Sequence, residues 1–376
     1  GDSDNDGDPD VFVANDTTPN FLYQNNGRGT FQNVGLFAGV ALSTEGRPYS
    51  GMGTNFGDFD NDGDIDIVVT NFQDQTNSLY QNEQYAFFNE VSFSTGIGEK
   101  SLPYLAWGVD FVDLNNDGWQ DLFVANGHLD HNISDIDPIG TYAQRNQVFM
   151  NQNGRTFIDQ SKTMLDQKQV SRGSAFGDLD NDGFLDCYLG TGEESLEMLV
   201  PNRVFRNVAG TRFEDVTTAG GFGHVQKGHG VSFGDIDHDG DQDVYMVLGG
   251  AFEGDIAQNL LLLNPGHGNA WVTLRLRGSV SNRMAIGARI QVEVETPNGA
   301  RSIYVTVGSG GTFGASTLQQ EIGLGDATGI RQLTVIWPGS GQRTEYRDVP
   351  LNQVLVVREE SAIVEPVELA VIDLGS

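Results

Sequence analysis

The stretch DFDNDGDID at residues 58–66 places an aspartate at every second position and a glycine at its sixth position. Four other stretches share this spacing, at residues 2–10, 113–121, 178–186 and 235–243. We call each of these stretches a ladder. So many carboxylates in one tight turn repel each other unless a hard cation lies among them, and oxygen atoms at alternating positions are the ligands that Ca²⁺ takes. The ladders therefore predict a protein that binds calcium at repeated sites.

Each ladder offers a set of candidate calcium ligands. We expect the side chains at positions one, three, five and nine to bind the ion, together with the backbone carbonyl at position seven. Glycine at position six gives the backbone the freedom that a sharp turn around an ion demands. The candidate ligands are Asp2, Asp4, Asp6, Asp8 and Asp10; Asp58, Asp60, Asp62, Asp64 and Asp66; Asp113, Asn115, Asp117, Trp119 and Asp121; Asp178, Asp180, Asp182, Phe184 and Asp186; and Asp235, Asp237, Asp239, Asp241 and Asp243. About one Ca²⁺ per repeat is expected.

An EF-hand loop begins with a similar pattern, but it needs a glutamate at position twelve and a helix on each side. Position twelve of the ladders is apolar in every copy: Val13, Val69, Val124, Leu189 and Met246. The residues around it are β-branched or aromatic, so strands are expected to follow the ladders. The other alternative, solvated acidic turns without an ion, is disfavoured because five copies keep one spacing.

The composition agrees with a secreted, ion-dependent protein. The chain has 52 acidic residues against 21 lysines and arginines, a formal net charge of −31. This charge disfavours nucleic acid or an anionic membrane surface as a partner. After residue 265 there are nine arginines, no lysine and eleven acidic residues, so most of the negative charge lies in the part with the ladders. We expect calcium to be a folding partner of the first part and nearly irrelevant to the second.

The single cysteine, Cys187, excludes a disulfide framework and is expected to be a buried thiol. No apolar run of about 18 residues occurs, so no transmembrane helix is predicted. The chain begins directly on a ladder, without a signal peptide or an initiator methionine. We interpret it as a mature form or a fragment, from which upstream repeats can be missing.

The ladders belong to a longer repeat. They begin at residues 2, 58, 113, 178 and 235, which gives periods of 56, 55, 65 and 57 residues. A run bracketed by asparagines follows each ladder, at residues 20–25, 77–82, 146–151, 202–207 and 259–264. Phenylalanine-containing runs before and after these elements bring the unit to four short strands. Four strands in such a period are typical of a β-propeller blade.

Phe-Gly pairs before the ladders, such as Phe56-Gly57 and Phe233-Gly234, complete a pattern that resembles the FG-GAP, or VCBS-type, repeats of integrin-like propellers. The resemblance covers residues 1–264. It implies an all-β, calcium-binding β-propeller whose ligands fall on the ladder positions given above. The third ladder departs from the pattern, with Asn115 at position three and Val112 where the others have glycine, so its site is expected to be the weakest.

The first and last units are incomplete, because the first lacks its leading strand and the fifth lacks its last strand. Open sheet edges pair readily with other strands. Residues 364–374 form a detached apolar stretch after the acidic pair Glu359-Glu360. We hypothesise that the tail, residues 359–376, or the truncated N-terminus pairs in trans and builds head-to-tail polymers.

A second domain is predicted over residues 265–358. Alternation at residues 289–295 and 301–307, around a turn at residues 297–299, predicts a β-hairpin. Further strands are expected at residues 271–276, 332–337 and 354–358, which gives a small antiparallel sandwich or barrel. Motifs within residues 269–350, among them Ile286-Gly-Ala-Arg289, Gly308-Ser-Gly-Gly311 and Trp337-Pro-Gly-Ser-Gly341, resemble the ASPIC/UnbV domain of secreted proteins similar to the cartilage acidic protein family. The resemblance implies an extracellular accessory or binding module.

The charged residues of this domain leave three interpretations open. Arg283 and Arg289 could bind an anionic ligand, pair with the acidic repeats, or satisfy backbone carbonyls in a glycine-rich loop. The last of these is favoured, since an arginine offers five donors to such a loop.

Candidate catalytic groups are few. His128, Asp130 and His131 lie in the insertion that lengthens the third unit, and His224 and His229 precede the fifth ladder. Neither group has a third ligand at a suitable spacing for zinc, and surface or turn-capping histidines are favoured. No phosphate loop or nucleophile elbow occurs. The sequence therefore predicts no enzyme.

The leading hypothesis is a secreted, calcium-stabilised, non-enzymatic protein that works by contact, as an adhesive, matrix or surface-filament subunit. Its partners would be proteins or glycans at a surface or in a matrix, or further copies of the chain. The alternative is a carbohydrate-binding or carbohydrate-processing propeller. In that case the insertion of the third unit would form a sugar site, with Trp107, Trp119 and Tyr142 as candidate aromatic residues.

Overall fold

The computed structural model describes residues 1–191, 200–225, 227–249, 254, 256–310 and 312–374. Across these ranges the chain is built from β-strands and a few helices of four residues each. The helices are α1 (Gly35–Ala38), α2 (Ser92–Thr95), α3 (Gly98–Ser101), α4 (Ile133–Ile136) and α5 (Ser161–Met164). No helix in the described ranges is long and apolar enough to cross a membrane.

Each repeat unit forms one antiparallel sheet whose strands lie side by side in chain order. The strands are β1 (Val11–Val13), β2 (Phe21–Asn25) and β3 (Phe31–Asn33) in the first unit; β4 (Thr54–Gly57), β5 (Asp66–Val69), β6 (Ser78–Asn82) and β7 (Phe88–Glu90) in the second; β8 (Ala106–Val112), β9 (Asp121–Asn126), β11 (Gln147–Asn151) and β12 (Phe157–Asp159) in the third; β14 (Ser171–Gly177), β15 (Asp186–Thr191), β16 (Arg203–Val208) and β17 (Arg212–Asp215) in the fourth; and β18 (Gly228–Gly234), β19 (Asp243–Leu248) and β20 (Leu260–Leu262) in the fifth. In the insertion, β10 (Gln144–Arg145) pairs separately with β13 (Lys168–Gln169).

The ladders are the turns between neighbouring strands of one sheet. In units two to five, each ladder joins the first strand to the second, as residues 58–66 join β4 to β5. The strand that follows carries the apolar residues at position twelve, such as Val69 and Val124, and both are fully buried. The expected strand after the ladder is confirmed, and an EF-hand, with a helix there, is excluded.

Consecutive sheets pack face to face through hydrophobic layers. Along β5, Ile67 and Val69 pack towards the first unit, whereas Val68 packs towards the third. This alternation is the period of two that any strand imposes on its side chains. Two further layers join the third unit to the fourth and the fourth to the fifth. The five sheets are therefore arranged as successive blades of a β-propeller.

The arc of blades is open within the described residues, because no hydrophobic layer joins the first sheet to the fifth. Both of these sheets have three strands, as the incomplete units predicted. On β19 the side chains of Tyr245 and Val247 are 40% and 45% exposed. The corresponding strands of the second to fourth units are fully buried, so the outer face of the fifth sheet lacks the cover that a next blade gives.

The second domain is a sandwich of two four-stranded sheets. Its strands are β21 (Ala270–Arg277), β22 (Arg289–Thr296), β23 (Gly299–Thr306), β24 (Gln320–Gly325), β25 (Gly329–Ile336), β26 (Arg343–Tyr346), β27 (Val354–Arg358) and β28 (Glu365–Val367). One sheet has the order β24-β21-β27-β28 and the other β23-β22-β25-β26, with one hydrophobic core between them. The predicted hairpin is β22 with β23, in which Thr296 lies opposite Gly299. One pair, β21 with β27, is parallel, which the sequence did not predict.

The beginning of the C-terminal tail belongs to this domain. Strand β28 pairs antiparallel with β27 of the same chain, with Val354 opposite Val367. The tail then runs back to the repeats, where the Ile372 N–H donates to the Asp237 carbonyl at 2.7 Å. The prediction of a detached segment that pairs in trans is therefore wrong for residues 365–367, because β27 offers them an edge within the chain.

A loop of the second domain reaches the first strands of the repeat sheets. We call residues 312–317 the plug. The Val231 N–H donates to the Phe313 carbonyl at 3.1 Å, and the Thr54 N–H donates to Thr312 Oγ1 at 3.0 Å. The Phe313 ring centroid lies 6.2 Å from that of Trp107. A cavity of about 440 Å³ remains between the plug and the two domains.

Candidate metal centres at the ladders

All five ladders share one backbone geometry. The glycine at position six has a φ between 87° and 97° in every copy. Position four is also left-handed, with a φ of 59° at Asn5, 60° at Asn61 and 63° at His238. This conformation costs a residue with a Cβ about 1–2 kcal/mol, and asparagine tolerates it best. Repetition of the same left-handed pair at the same positions indicates five copies of one loop.

Backbone N–H groups hold two of the carboxylates in each ladder. In the second ladder, the Gly63 N–H donates to Asp58 Oδ2 at 3.1 Å, and the Asp64 N–H donates to Asp62 Oδ1 at 2.8 Å. The other four ladders repeat the bond to position one at 2.7–3.2 Å and the bond to position five at 2.9–3.0 Å. The carboxylates at positions one and five are therefore held in place by the N–H groups of the glycine and of the residue after it.

Four ladders bring three carboxylates close enough to share one ion. One oxygen of each carboxylate lies within 4.8 Å of the other two in four groups: Asp2, Asp4 and Asp6; Asp58, Asp60 and Asp62; Asp178, Asp180 and Asp186; and Asp235, Asp237 and Asp239. In each group one buried oxygen has no hydrogen-bond partner, namely the Oδ1 of Asp2, Asp58, Asp180 or Asp237. A buried carboxylate oxygen without a hydrogen-bond partner costs free energy, and a Ca²⁺ ion bound to that oxygen would compensate for the cost. The residues present therefore fit the expected ion.

The third ladder differs at position three, as the sequence indicated. The Asn115 side-chain amide donates to Asp117 Oδ2 at 3.0 Å, and a third carboxylate is missing from this position. Asp113 and Asp117 alone supply the charge at the first five positions. That this site is the weakest stays a prediction, and the smaller charge supports it.

Burial raises the pKa of many ladder carboxylates. It raises the pKa of Asp58 to about 7, although the nearby Arg289 guanidinium opposes the shift. Burial likewise raises the pKa of Asp2 to about 6 and that of Asp113 to about 7. Neighbouring carboxylates of the same ladder add repulsion in each case. At neutral pH such groups ionise together at low cost only when a cation lies among them.

The aspartate at position nine also closes the loop. Asp66 Oδ2 accepts a hydrogen bond from the Phe59 N–H at 3.0 Å, and its Oδ1 accepts one from the Asn82 N–H at 2.9 Å. The same two bonds recur in the other four ladders. At least one carboxylate oxygen of each position-nine aspartate keeps a second lone pair, so ligation at position nine is compatible with these bonds and stays a prediction.

Position four, to which the ligand pattern assigns no role, links neighbouring ladders. Its asparagine side chain donates to position six or seven of the next ladder in the first four copies. The bonds run from Asn5 to Asp64 Oδ1 at 2.6 Å, from Asn61 to the Gly118 carbonyl at 2.9 Å, from Asn116 to the Gly183 carbonyl at 2.7 Å and from Asn181 to Asp241 Oδ1 at 2.6 Å. His238 replaces asparagine in the fifth ladder and lies 3.3 Å from the Ala370 carbonyl in the tail.

One further residue contacts position three in three of the ladders. It is the residue just before the closing asparagine of the asparagine-bracketed run that follows each ladder. Gln24 and Gln81 donate to Asp4 and Asp60 in the first two units, at 3.1 and 2.6 Å. In the fourth unit the equivalent residue is Arg206, whose Nε lies 2.6 Å from Asp180 Oδ2. A fixed positive charge therefore stands at the fourth site, where it competes with a cation. This competitor, which the ladder motif does not contain, could have been found by aligning the five units.

The second domain contacts the loops that would hold the ions. On the fourth ladder, three successive carbonyls, those of residues 180, 181 and 182, accept hydrogen bonds at 2.7 Å each from Asn269 Nδ2, the Gly325 N–H and Arg301 Nη2. On the third ladder, the Tyr304 N–H donates to Asn116 Oδ1 at 3.1 Å. The second domain therefore contacts the candidate calcium loops directly, and whether calcium matters to it stays untested.

At the fifth ladder the second domain supplies one contact that a following repeat supplies to earlier ladders. The Asp58 and Asp178 N–H groups donate to glutamines of the following units, at 2.8 and 2.7 Å. The equivalent N–H of Asp235 donates instead to Glu321 Oε1 of the second domain, at 3.4 Å. The last ladder thus receives from β24 the kind of contact that earlier ladders receive from the next sheet.

Of the two arginines singled out in the second domain, Arg289 pairs with the acidic repeats, as one of its three interpretations proposed. Its Nη1 lies 3.8 Å from Asp58 Oδ2. Arg283 lines an open cleft together with Asp6 and Asp8 of the first ladder. Arg289 therefore faces a ladder, whereas the cleft that Arg283 lines is shared by the first ladder and residues 277–281 of its own domain.

The histidines of the insertion do not converge on a metal site. His128 is buried, and its Nδ1 accepts a hydrogen bond from the Asp130 N–H at 2.9 Å, which fixes a turn. His131 is exposed. Within the ranges that the structure describes, no group of candidate metal ligands includes a histidine.

Of the aromatic residues proposed for a sugar site, the two tryptophans lie apart, whereas Tyr142 lies near Trp107. Trp107 Nε1 donates to the Gly127 carbonyl at 2.8 Å, and the next residue, His128, donates its N–H to the Tyr142 carbonyl at 2.9 Å. The Trp107 ring is covered by the Arg172 guanidinium, 4.4 Å from its centroid, and has the Phe313 ring nearby. Trp119 lies in the third ladder, at the other end of β8. The five residues between Trp107 and the end of β8 span roughly 17 Å, so one site does not hold both tryptophans.

Family models match both parts of the chain. The model of the FG-GAP-like repeat matches residues 2–69 and 58–124, and the model of ASPIC and UnbV matches residues 278–364. Cartilage acidic protein 1 of Mus musculus is 30% identical over 204 residues, which are 54% of this chain and 29% of that protein. Integrin alpha-3 of Cricetulus griseus is 34% identical over 103 residues, 26% of this chain and 9% of the integrin. The chain thus spans less than a third of the length of these relatives.

A solved structure of an Agrocybe aegerita lectin that recognises non-reducing terminal N-acetylglucosamine overlaps 70% of this chain and 79% of its own. The sequence identity is 15% and the TM-score is 0.31, too low for an argument about fold or ligand. Each family model matches residues within one of the two parts described above. The chain therefore combines FG-GAP-like repeats with an ASPIC and UnbV domain and is homologous to cartilage acidic protein 1.

Proposed function

We propose that this chain is a secreted, calcium-stabilised, non-enzymatic protein that works by contact with proteins or glycans at a surface or in a matrix. The observation that carries the calcium part is the buried Oδ1 atom without a partner at position one or three of four ladders. Ca²⁺ would be held by the candidate ligands given above, about one ion per ladder. The ion would supply structural charge compensation, and no catalytic residue is assigned.

The homologous proteins support the extracellular part of the proposal. Homology to cartilage acidic protein 1 and to integrin alpha-3 is consistent with a non-enzymatic extracellular protein. Binding to matrix, to cells or to further copies of the chain is our extension of that homology. Assembly through the tail loses its main support, because residues 365–367 already pair within the chain.

Exposed hydrophobic residues on the outer part of the first two blades support a role in contact. Phe37 is 84% exposed, Tyr85 is 75% exposed and Phe87 is 63% exposed. Their chain neighbours Ala38, Ala86 and Phe88 belong to one buried cluster, which brings the three aromatic residues to one region. Exposed apolar groups in one region are typical of interaction surfaces.

Thermal unfolding with calcium and with excess EDTA tests the calcium part. An ion at 100 times its dissociation constant adds about 2.7 kcal/mol of stability per site, and a typical domain has a net stability of about 5–15 kcal/mol. Chelation is therefore expected to lower Tm strongly or to abolish the folded state. Magnesium at the same concentration is the control for ionic strength. An unchanged Tm in EDTA would refute structural calcium sites.

Binding of the full chain to a matrix extract and to a glycan array tests the contact part. We expect calcium-dependent binding, reduced by Phe37→Ser and unchanged by Ile363→Ser, a control residue that is 74% exposed in the tail. Equal binding by both variants would place the contact elsewhere. Chemical turnover of a bound glycan would overturn the non-enzymatic assignment.

A further inference from the structure

We propose that calcium at the ladders and docking of the second domain stabilise each other, so that the plug is fully seated only while the ladders are loaded. The inference rests on the calcium sites of the proposed function and adds a conformational role for them. The docking of the second domain would then depend on the calcium occupancy of the ladders.

The docking surface depends on ladder shape. The three carbonyls of residues 180–182 point towards the second domain only because the chain turns sharply there, with a φ of 54° at Asn181. Gly323 packs so closely on this turn that a Cβ built on it would lie 2.4 Å from the Asn181 Cα. A surface with such small tolerances binds one conformation of the loop and not an ensemble.

That conformation depends on the charge inside the ladder. Asp178, Asp180 and Asp186 bring oxygens within 4.8 Å of one another in the fourth ladder. In the metal-free ladder the Arg206 guanidinium, 2.6 Å from Asp180 Oδ2, offsets only part of this charge. The remaining repulsion favours an opened turn, whereas a bound ion holds the turn closed. The carbonyls that the second domain binds are therefore in place when the ion is bound.

One strand connects the ladders to the plug. Arg301 and Tyr304 on β23 bind the fourth and third ladders, and the chain leads from the end of β23 at Thr306 towards the plug. In the plug, the Phe313 carbonyl and Ser316 Oγ accept hydrogen bonds from β18 at 3.1 Å each. A displacement of β23 from the ladders would therefore also withdraw the plug.

The coupling must act in both directions, because an effect of calcium on docking implies an equal effect of docking on calcium binding. This gives a test in which no metal ligand is altered. A Cβ built on Gly314 would lie 2.0 Å from the Val231 carbonyl oxygen, so Gly314→Ala should unseat the plug. Gly308→Ala is the matched control, since the nearest atom to its built Cβ is 3.9 Å away.

Calcium titration of the full chain, followed by calorimetry, is the first experiment. We expect Gly314→Ala to raise the calcium concentration at half-saturation about fivefold, the lower end of common coupling energies, and Gly308→Ala to leave it unchanged. If wild type binds no calcium, the proposed function fails, and this inference fails with it. If wild type binds calcium and Gly314→Ala binds it equally well, the inference alone is overturned.

Hydrogen exchange of the wild-type chain gives a second measurement that needs no variant. Amides of residues 312–317 should exchange more slowly in calcium than in EDTA, while those of β11 report whether the repeats remain folded. Equal exchange of the plug under both conditions would overturn the inference. If β11 also loses protection in EDTA, the comparison of the two glycine variants in calcium decides.

Discussion

At the scale of single residues, each position of a ladder has a separable task. Asp60 belongs to the carboxylate cluster of the second ladder, whereas the Asp64 side chain accepts a hydrogen bond from Asn5 at 2.6 Å. Asp60→Ala should therefore remove one calcium site from the calorimetric stoichiometry. Asp64→Ala should keep the stoichiometry and lower the free energy of unfolding by about 1 kcal/mol through the lost bond. Loss of a site in Asp64→Ala would show side-chain ligation at position seven.

A second residue-scale prediction concerns the positive charge at the fourth site. Arg206 stands where the first two units have glutamine, and it contacts Asp180 at 2.6 Å. Arg206→Gln should tighten calcium binding at this ladder by about 1 kcal/mol, roughly fivefold, because the ion no longer competes with a half-exposed guanidinium. Calorimetric titration measures the change. The control is Arg203→Gln, because Arg203 lies on the same strand as Arg206 but pairs with Asp215 of β17 and not with a ladder. Weaker binding in Arg206→Gln would mean that this arginine positions Asp180 for the ion.

The ladders themselves could be predicted because their information is local. Alternating carboxylates, the glycine turn and the apolar strand that follows are all contained in about a dozen residues. The partners of position four and of Arg206 are not local: Asn61 contacts the carbonyl of Gly118, 57 residues further along the chain. Such contacts follow from the angle between neighbouring sheets, which hydrophobic pattern alone does not specify. The sequence therefore predicted the ladder residues but not the hydrogen bonds that link one ladder to the next.

At the scale of elements, the asparagine bonds between ladders join one blade to the next. Asn61→Gly should keep the left-handed backbone and remove one such bond, lowering the free energy of unfolding in calcium by about 1 kcal/mol. Asn153→Gly is the matched control, because Asn153 has a φ of 54° in a turn outside the ladders. Urea denaturation of both variants measures the difference. If both substitutions change the free energy of unfolding equally, the hydrogen bond between the ladders does not contribute to stability.

The acidic pair at the beginning of the tail shows where composition misleads. An acidic pair between two apolar stretches is typical of an exposed connection, yet the side chain of Glu359 is only 1% exposed. Its Oε2 accepts hydrogen bonds from the N–H groups of Ser279, Val280 and Ser281 at 2.7, 2.8 and 3.0 Å. Burial opposes ionisation, but these bonds and the Ser340 hydroxyl lower the pKa of Glu359 to about 2. The three N–H groups lie about 80 residues away along the chain, which is why the role of this carboxylate could not be predicted.

Glu359→Gln should therefore destabilise the second domain. The amide keeps one acceptor oxygen but places donors next to N–H groups, so a loss of about 2 kcal/mol is expected. The exposed neighbour Glu360 provides the control substitution, Glu360→Gln. Because the folded pKa of Glu359 lies below the unfolded value, its contribution is complete above about pH 4.5 and is lost as the pH falls towards 2. Denaturant unfolding at pH 7 and pH 3 should show a smaller difference between the variants at pH 3.

At the scale of the whole molecule, the two domains form one structure organised around the ladders. The repeats present loops of a single geometry, and the second domain rests on these loops and reaches past them with the plug. Its strands could be predicted from alternation, as for the hairpin of β22 and β23. Its position could not, because docking depends on backbone carbonyls and on glycines whose role appears only after the chain is folded. Ion binding is therefore expected to affect the stability of the chain as a unit.

The pH dependence of stability should change sign with calcium. In the metal-free protein, burial raises the pKa of Asp235 to about 6, of Asp58 to about 7 and of Asp121 to about 8, against 3.8 for an ordinary aspartate. Between these values the folded state binds more protons than the unfolded state, so stability should fall as the pH rises from about 4 to 8. With calcium bound, the same carboxylates are ionised and protons compete with the ion, so stability should rise over that interval. Tm measured at pH 5 and pH 7.5, in EDTA and in calcium, should therefore show opposite slopes. Parallel slopes under the two conditions would mean that the ladder carboxylates do not exchange protons for an ion.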